Sequence, residues 1–141
     1  VYQIIKRYSD QDAIVIYMPD HGEECYEENR GFICRNHSAE IDWPLAHYEF
    51  EVPFWIYCSH TYIKNHPEIY QQIVTAHNRR YMTDALPHLL LYLAGIHTPW
   101  YQERYNILSP KYDEKRPRIL KGKTDYDKLR DEHLRQKGKK L

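Results

Sequence analysis

Asp20 and His21 stand side by side and are followed at once by Gly22, Glu23 and Glu24. A carboxylate oxygen next to an imidazole nitrogen suits a divalent metal of the zinc or manganese type. Their position gives the pair its interest. They follow Ala13-Ile14-Val15-Ile16-Tyr17-Met18-Pro19, a short apolar run rich in β-branched residues. Such a run reads as a strand buried on both faces, the kind found inside a parallel sheet. In open α/β sheets, ligands bind just beyond the carboxyl ends of the strands. Gly22 lets the backbone turn sharply at that exit. Asp-His-Gly is equally a polar turn, since Asp and Gly are frequent turn formers.

The elements that must hold these residues are legible in outline. Residues 1–8 read as the tail of an amphipathic helix cut mid-element, which predicts a C-terminal portion of a longer protein. Residues 12–18 form the first strand, and 52–58 a second, with Pro53 near its start. Between them, 19–51 is a long polar loop with a short turn at 43–47; loops of this length are usually functional. Pro67 opens a helix at its first turn, with Ile69, Ile73 and Ala76 on the buried stripe. A second helix starts after Asp84 as N-cap and ends at Gly95. Its buried face is Leu86, Leu89, Leu90 and Leu93. Residues 97–117 are irregular, 118–120 a short edge strand, and 128–141 a basic tail that is a frayed helix or disordered. No hairpin signal is evident. Strand, helix, helix argues for α/β layering.

Composition narrows the class. The chain has 141 residues, 42% of them hydrophobic, enough for one domain with a core. Its formal charge is zero but unevenly spread. Nine acids lie in 19–51 against Arg30 and Arg35, which fits cation binding. Lys128, Arg130, Arg135, Lys137, Lys139 and Lys140 face only Asp131 and Glu132 in the last fourteen residues; such a run is most often a solvated face. Lys64, His66 and the tyrosine clusters carry no nucleic-acid signature beyond charge. No run of 18 apolar residues is present, so no membrane span lies in this chain. Three cysteines allow one internal disulfide, and in an oxidising compartment Cys25 and Cys34 would pair across the loop. Cys58 ends a strand and reads as a buried free thiol. His88 reads as a packed histidine with one satisfied nitrogen. His47, His66 and His133 show no partner pattern.

The string IVIYMPDHGEE, the later Asn36-His37-Ser38, the strand region from Tyr48 to Tyr57 and the segment from Tyr81 to Ile96 resemble the alkaline phosphatase/sulfatase superfamily. Within it, the chain looks most like the bacterial inner-membrane phosphoethanolamine transferases, over roughly residues 10 to 127. The resemblance implies an α/β fold: the C-terminal part of an alkaline-phosphatase-like sandwich, with a mostly parallel sheet flanked by helices. Residues 1–127 would be the C-terminal portion of a sulfatase-like catalytic domain and 128–141 a basic tail.

The same resemblance implies chemistry. Asp20 and His21 would ligate zinc, with manganese and calcium as alternatives. His37 would bind a second metal or protonate the leaving oxygen, although the transferases carry a longer His-Gly-containing stretch where this chain has His37-Ser38. Glu23 would orient the ligands, and Glu24 would be solvated. The reaction implied moves phosphoethanolamine from a phospholipid donor to a lipid A-type or glycan acceptor through a covalent phospho-enzyme. The nucleophile would come from an upstream part of the same protein, which would also carry inner-membrane spans and leave this domain facing the periplasm. The chain alone would therefore be inactive. Two alternatives remain: a sulfatase or phosphoesterase, and a non-catalytic glycan-binding or structural domain. Against a sulfatase, no Lys or Arg lies between His37 and Val52, where a sulfate would need one.

Overall fold

The computed structural model describes residues 1–29, 31, 33–35 and 40–138. Its elements run α1 (Tyr2–Tyr8), β1 (Ile14–Tyr17), β2 (Glu24–Cys25), β3 (Ile33–Cys34), α2 (Trp43–Leu45), β4 (Trp55–Cys58), α3 (His60–Asn65), α4 (Pro67–Ala76), α5 (Leu86–Leu93), β5 (Ile119–Leu120), β6 (Thr124–Asp125) and α6 (Tyr126–Gly138). The architecture is mixed α/β. The chain divides into two units, Val1–Ile16 with Ile56–Arg116, and Tyr17–Trp55 with Pro117–Leu141.

In the first unit, β1 and β4 are hydrogen-bonded neighbours. Ser59 ties the end of β4 to the entry of β1. Its hydroxyl donates to the Gln11 carbonyl at 2.6 Å and accepts from the amides of Ala13 and Tyr62 at 3.3 and 3.0 Å. That uses the one donor and two lone pairs a hydroxyl has, and Ser59 is fully buried. The bond from Tyr62 also makes Ser59 the N-cap of α3.

Pro67 sits in the first turn of α4, as expected, and Ala76 is buried with Ile69 and Ile73 half-buried. The end of α5 is a Schellman motif. Gly95 takes φ +65°, its amide donates to Tyr92, and the Ile96 amide donates to Leu91. Two expectations for α5 need correction. Asp84 makes no cap bond; a 3₁₀ turn at Thr83–Ala85 leads into the helix, and the Asp84 carboxylate pairs with Arg116 instead. Leu90 is 44% exposed, while Leu89 is fully buried. Complete burial of a leucine contributes about 2 kcal/mol.

Residues 97–117 are irregular, yet Asn106, Ile107, Leu108 and Ser109 are buried. Buried backbone outside regular structure needs partners. Arg79 supplies them, donating through one Nη1 to the carbonyls of Ile107 and Ser109 at 2.7 and 2.8 Å. Its Nε lies 3.0 Å from Glu114.

The second unit holds two antiparallel ladders. In one, Glu24 faces Cys34 and Cys25 faces Ile33; in the other, Ile119 faces Asp125 and Leu120 faces Thr124. The β5–β6 turn has Lys121 at φ 48° and Gly122 at φ 68°, with the Lys123 amide bonded to the Leu120 carbonyl. Two positive φ values in sequence make a type I′ turn. The expectation of no hairpin thus fails: Lys stands where Asn or Asp would have given the signal. Both of these short ladders are antiparallel; β1 and β4, the strands expected to lie in a mostly parallel sheet, pair with each other. Those two strands are not buried on both faces, since β1 and β4 are half-buried throughout.

The core of the second unit is Ala46, Leu120 and Tyr126, with Ile41, Trp43, Phe50 and Leu129 packed against it. The supposed polar loop therefore contains structure. Asp42 caps α2, its Oδ1 accepting from the Leu45 amide at 3.0 Å. The chain then continues as a π-helical turn over Ala46–Phe50. Of the two readings of the basic tail, the helix is the one observed, as α6, as far as Gly138.

Candidate metal centre

Asp20 and His21 lie three and four residues past the end of β1. The Asp20 Oδ2 is 3.2 Å from the His21 Nε2, with the aspartate side chain 88% exposed and the histidine 26%. The other ring nitrogen, Nδ1, is 2.9 Å from the Gly22 carbonyl. A carbonyl only accepts, so Nδ1 carries a proton and donates. Nε2 is then the basic nitrogen, and it faces a carboxylate oxygen. The two atoms that face each other, a carboxylate oxygen and an imidazole nitrogen, are both of metal-ligand type. Fixing one ring nitrogen by a backbone carbonyl is the usual way a ligating histidine is oriented.

The donor set fits a tetrahedral zinc ion in part. Ligand bonds of about 2.0–2.1 Å at a tetrahedral angle put two ligand atoms roughly 3.3 Å apart. The observed Asp20–His21 separation matches that chord. Among the described residues no group of three or more His, Cys, Asp or Glu could hold a metal. A metal held at Asp20 and His21 would therefore need further ligands from elsewhere.

Gly22 is required here for its lack of a side chain. Its amide donates to the Glu49 carbonyl at 2.9 Å, and a Cβ on Gly22 would stand 2.1 Å from the Tyr48 carbonyl oxygen. The sequence assigned Gly22 to a sharp turn; close backbone approach is the actual reason. The π-helical turn thereby fixes the residue that orients His21.

The neighbouring carboxylates differ from expectation. Glu24 is 2% exposed and Glu23 is exposed, so the one thought to be solvated is the buried one. Glu24 opens β2, a strand absent from the sequence reading. The Asp42 carboxylate caps α2. His37, the candidate catalytic residue, lies outside the described residues.

Cys25 and Cys34 are free and exposed. The ladder register explains this. Each cysteine faces a different residue across the pair, and successive strand residues point to opposite faces. The disulfide expected between them is not formed. Cys58 is free and half-buried, and burial pushes its thiol up from the ordinary range.

A second polar group was missed altogether. Glu51 accepts from the Tyr126 hydroxyl with one oxygen and lies 2.8 Å from His47 Nδ1 with the other. Trp43 stacks with both His47 and His133, at centroid separations of 5.6 and 4.9 Å. Burial, helped by the bond to Glu51, pushes the Tyr126 hydroxyl up to about 12. The i,i+4 spacing of His47 and Glu51 was the available signal. His88 behaves as expected: its Nδ1 accepts from the Gln102 amide, and its ring packs on Tyr101 and Tyr105.

Two solved structures are similar to this chain. Both are crystal structures of the C-terminal periplasmic domain of EcEptC from Escherichia coli, and one is a complex with Zn. Each aligns with a TM-score of 0.68 over 89% of this chain, at 24% and 25% sequence identity respectively. The match covers 36% and 35% of those chains, so this chain spans about a third of the length of the structures it matches. No protein-family model matches the sequence, and no curated protein does. The fold likeness agrees with the resemblance to phosphoethanolamine transferases carried by the sequence. Among the described residues no helix is long and apolar enough to cross a membrane.

Proposed function

We infer that this chain is the C-terminal part of a metal-dependent phosphoethanolamine transferase. The observation that carries the reading is the placement of Asp20 beside His21 at a strand exit, with the Gly22 carbonyl setting the histidine's tautomer. The fold likeness to a periplasmic domain supports it, as does the Zn complex of that domain. On this reading Asp20 and His21 hold one zinc ion, and upstream residues supply the remaining ligands. The rest of the sandwich, including its parallel sheet, would come from that upstream part too.

A bound dication supplies charge neutralisation for a phosphodiester, which resists attack because it is already anionic, and favours ionisation of a nearby hydroxyl. The chain's own residues do the positioning. Gly22, held by the π-helical turn, orients His21. His37 would protonate the leaving oxygen or serve a second metal. An upstream hydroxyl would attack phosphorus and displace diacylglycerol, giving the phospho-enzyme. A hydroxyl or phosphate of a lipid A-type or glycan acceptor would then take the phosphoethanolamine and release the nucleophile. Domain and donor would meet at the periplasmic face of the inner membrane.

The experiment is metal analysis of the complete enzyme with Asp20→Ala and His21→Ala. Loss of bound zinc in both, with transfer of labelled phosphoethanolamine abolished, is expected. Full occupancy in both variants overturns the metal assignment. The 141-residue chain by itself is expected to show no turnover on aryl phosphates or sulfates.

A further inference from the structure

We propose that the turn at Ile96–Trp100, together with Arg104, is a docking point for an anionic phospholipid surface. Trp100 is 80% exposed, the highest value among the exposed large hydrophobic side chains, and Ile96 is 54% exposed. The exposure is built in. Ile96 leaves α5 through the Schellman motif, which fixes its direction. The Tyr101 amide bonds the Thr98 carbonyl at 3.1 Å, and the Trp100 amide lies 3.4 Å from the Thr98 Oγ1. Beyond the turn, Tyr101 accepts through its hydroxyl from Asn106, which is fully buried. The indole is thus held in water by a pinned turn. An amphipathic ring presented in this way suits the headgroup level of a bilayer, where one side of the ring is apolar and its N–H stays wet.

Charge selects the surface. Tyr101 packs on His88, and His88 on Tyr105, at 6.1 and 5.1 Å between centroids. The Tyr105 ring carries two guanidiniums, Arg104 at 4.7 Å and Arg116 at 4.8 Å. These contacts join the Trp100 turn to an arginine pair. Arg116 is neutralised by Asp84. Arg104 has only the neutral Gln102 oxygen, on its Nε, and no carboxylate partner among the described residues. Its planar donors are left to meet phosphate. An exposed tryptophan, joined through packed rings to an arginine without a carboxylate partner among the described residues, complements an anionic headgroup layer better than it complements a second copy of the same cationic, apolar patch.

The proposal goes beyond the transferase reading and does not depend on it. The test is sedimentation of the protein with vesicles of phosphatidylglycerol and phosphatidylethanolamine, against vesicles of phosphatidylcholine alone. Binding to the anionic vesicles only, weakened by salt, is expected. Trp100→Ala should weaken it roughly tenfold or more, from the aromatic area no longer buried. Arg104→Ala should weaken it about fivefold, the effect of one cation near such a surface. Thermal melts of both variants should match the parent, because both side chains are exposed. No vesicle binding, or binding unchanged in both variants, overturns the proposal. So does concentration-dependent dimerisation that Trp100→Ala abolishes without any vesicle binding, since that would make the patch a contact between copies. Transfer activity is a separate readout, taken on the complete enzyme because this chain alone is expected to transfer nothing: a complete enzyme without transfer overturns the transferase reading and leaves the docking point of this chain standing.

Discussion

Gly22 and Tyr48 meet backbone to backbone: a Cβ at Gly22 would lie 2.1 Å from the Tyr48 carbonyl oxygen. The offending atom belongs to a helical main chain and has no rotamer in which to escape. Gly22 also donates to the next carbonyl, that of Glu49. Residue 22 is therefore tied to the π-helical turn twice, once by a bond and once by contact.

Gly22→Ala should push the loop off that turn. Overpacking of this kind costs about 1–3 kcal/mol. Because the Gly22 carbonyl is what His21 Nδ1 bonds, zinc affinity of the complete enzyme should fall more than tenfold as well. Calorimetric zinc titration beside a thermal melt checks both. Unchanged affinity with lowered stability would separate the loop's packing from its service to His21.

Alkaline pH should loosen the second unit. The Tyr126 hydroxyl is pushed up to about 12 from an ordinary value of 10.0, chiefly by burial and next by its bond to Glu51. The folded state therefore holds this proton more tightly than the unfolded chain does. Its contribution is fully present below pH 10 and is lost as pH rises from about 10 to about 12. The total is of order 2 kcal/mol. Tyr126→Phe should remove that slope and also cost about 1 kcal/mol near neutrality, through the lost hydrogen bond. Denaturant melts across the alkaline range, compared between the two proteins, measure it.

The sequence exposed those parts whose signals are local. Pro67 and Gly95 mark helix ends because their backbones permit little else there, and both sit where expected. Asp20-His21 was visible as a pair of ligand types after an apolar run. Other features depend on partners distant in the chain. Nothing near Gly22 announces that Tyr48 will press on it. Nothing near Glu51 announces Tyr126. The ladders β2–β3 and β5–β6 have strands of two residues each, too short for alternation to show. The disulfide expectation came from loop spacing alone, whereas strand register decides which side chains can meet.

Cys25 and Cys34 should therefore remain separate thiols. Their strands are paired with Glu24 opposite Cys34 and Ile33 opposite Cys25. Bridging them would require a slip in register, and a one-residue slip moves every side chain to the other face. Glu24 would then leave its buried position. Non-reducing digestion and mass spectrometry of the oxidised protein should return each cysteine in its own alkylated peptide. A linked peptide would show that the ladder rearranges in an oxidising compartment.

Arg79→Lys should destabilise the first unit although the charge is kept. Arg79 reaches three partners at once: the carbonyls of Ile107 and Ser109 through Nη1, and Glu114 through Nε. The two carbonyls belong to a buried irregular segment, where backbone acceptors depend on side chains for their bonds. A lysine ammonium is a single point on a flexible stem and cannot reproduce the guanidinium's fixed spread of donors. It can serve the carbonyls or the Glu114 carboxylate, but not all three. Each buried acceptor left unmet costs about 1–3 kcal/mol, so a loss of roughly 2 kcal/mol is expected. Glu114→Gln gives the control. Glu114 is half exposed, at 51%, and its ion pair with Arg79 contributes at most about 1 kcal/mol. Denaturant melts of the two variants should rank Arg79→Lys well below Glu114→Gln. Equal losses would mean that the ion pair, rather than the carbonyl bonds, holds residues 106–109 in place.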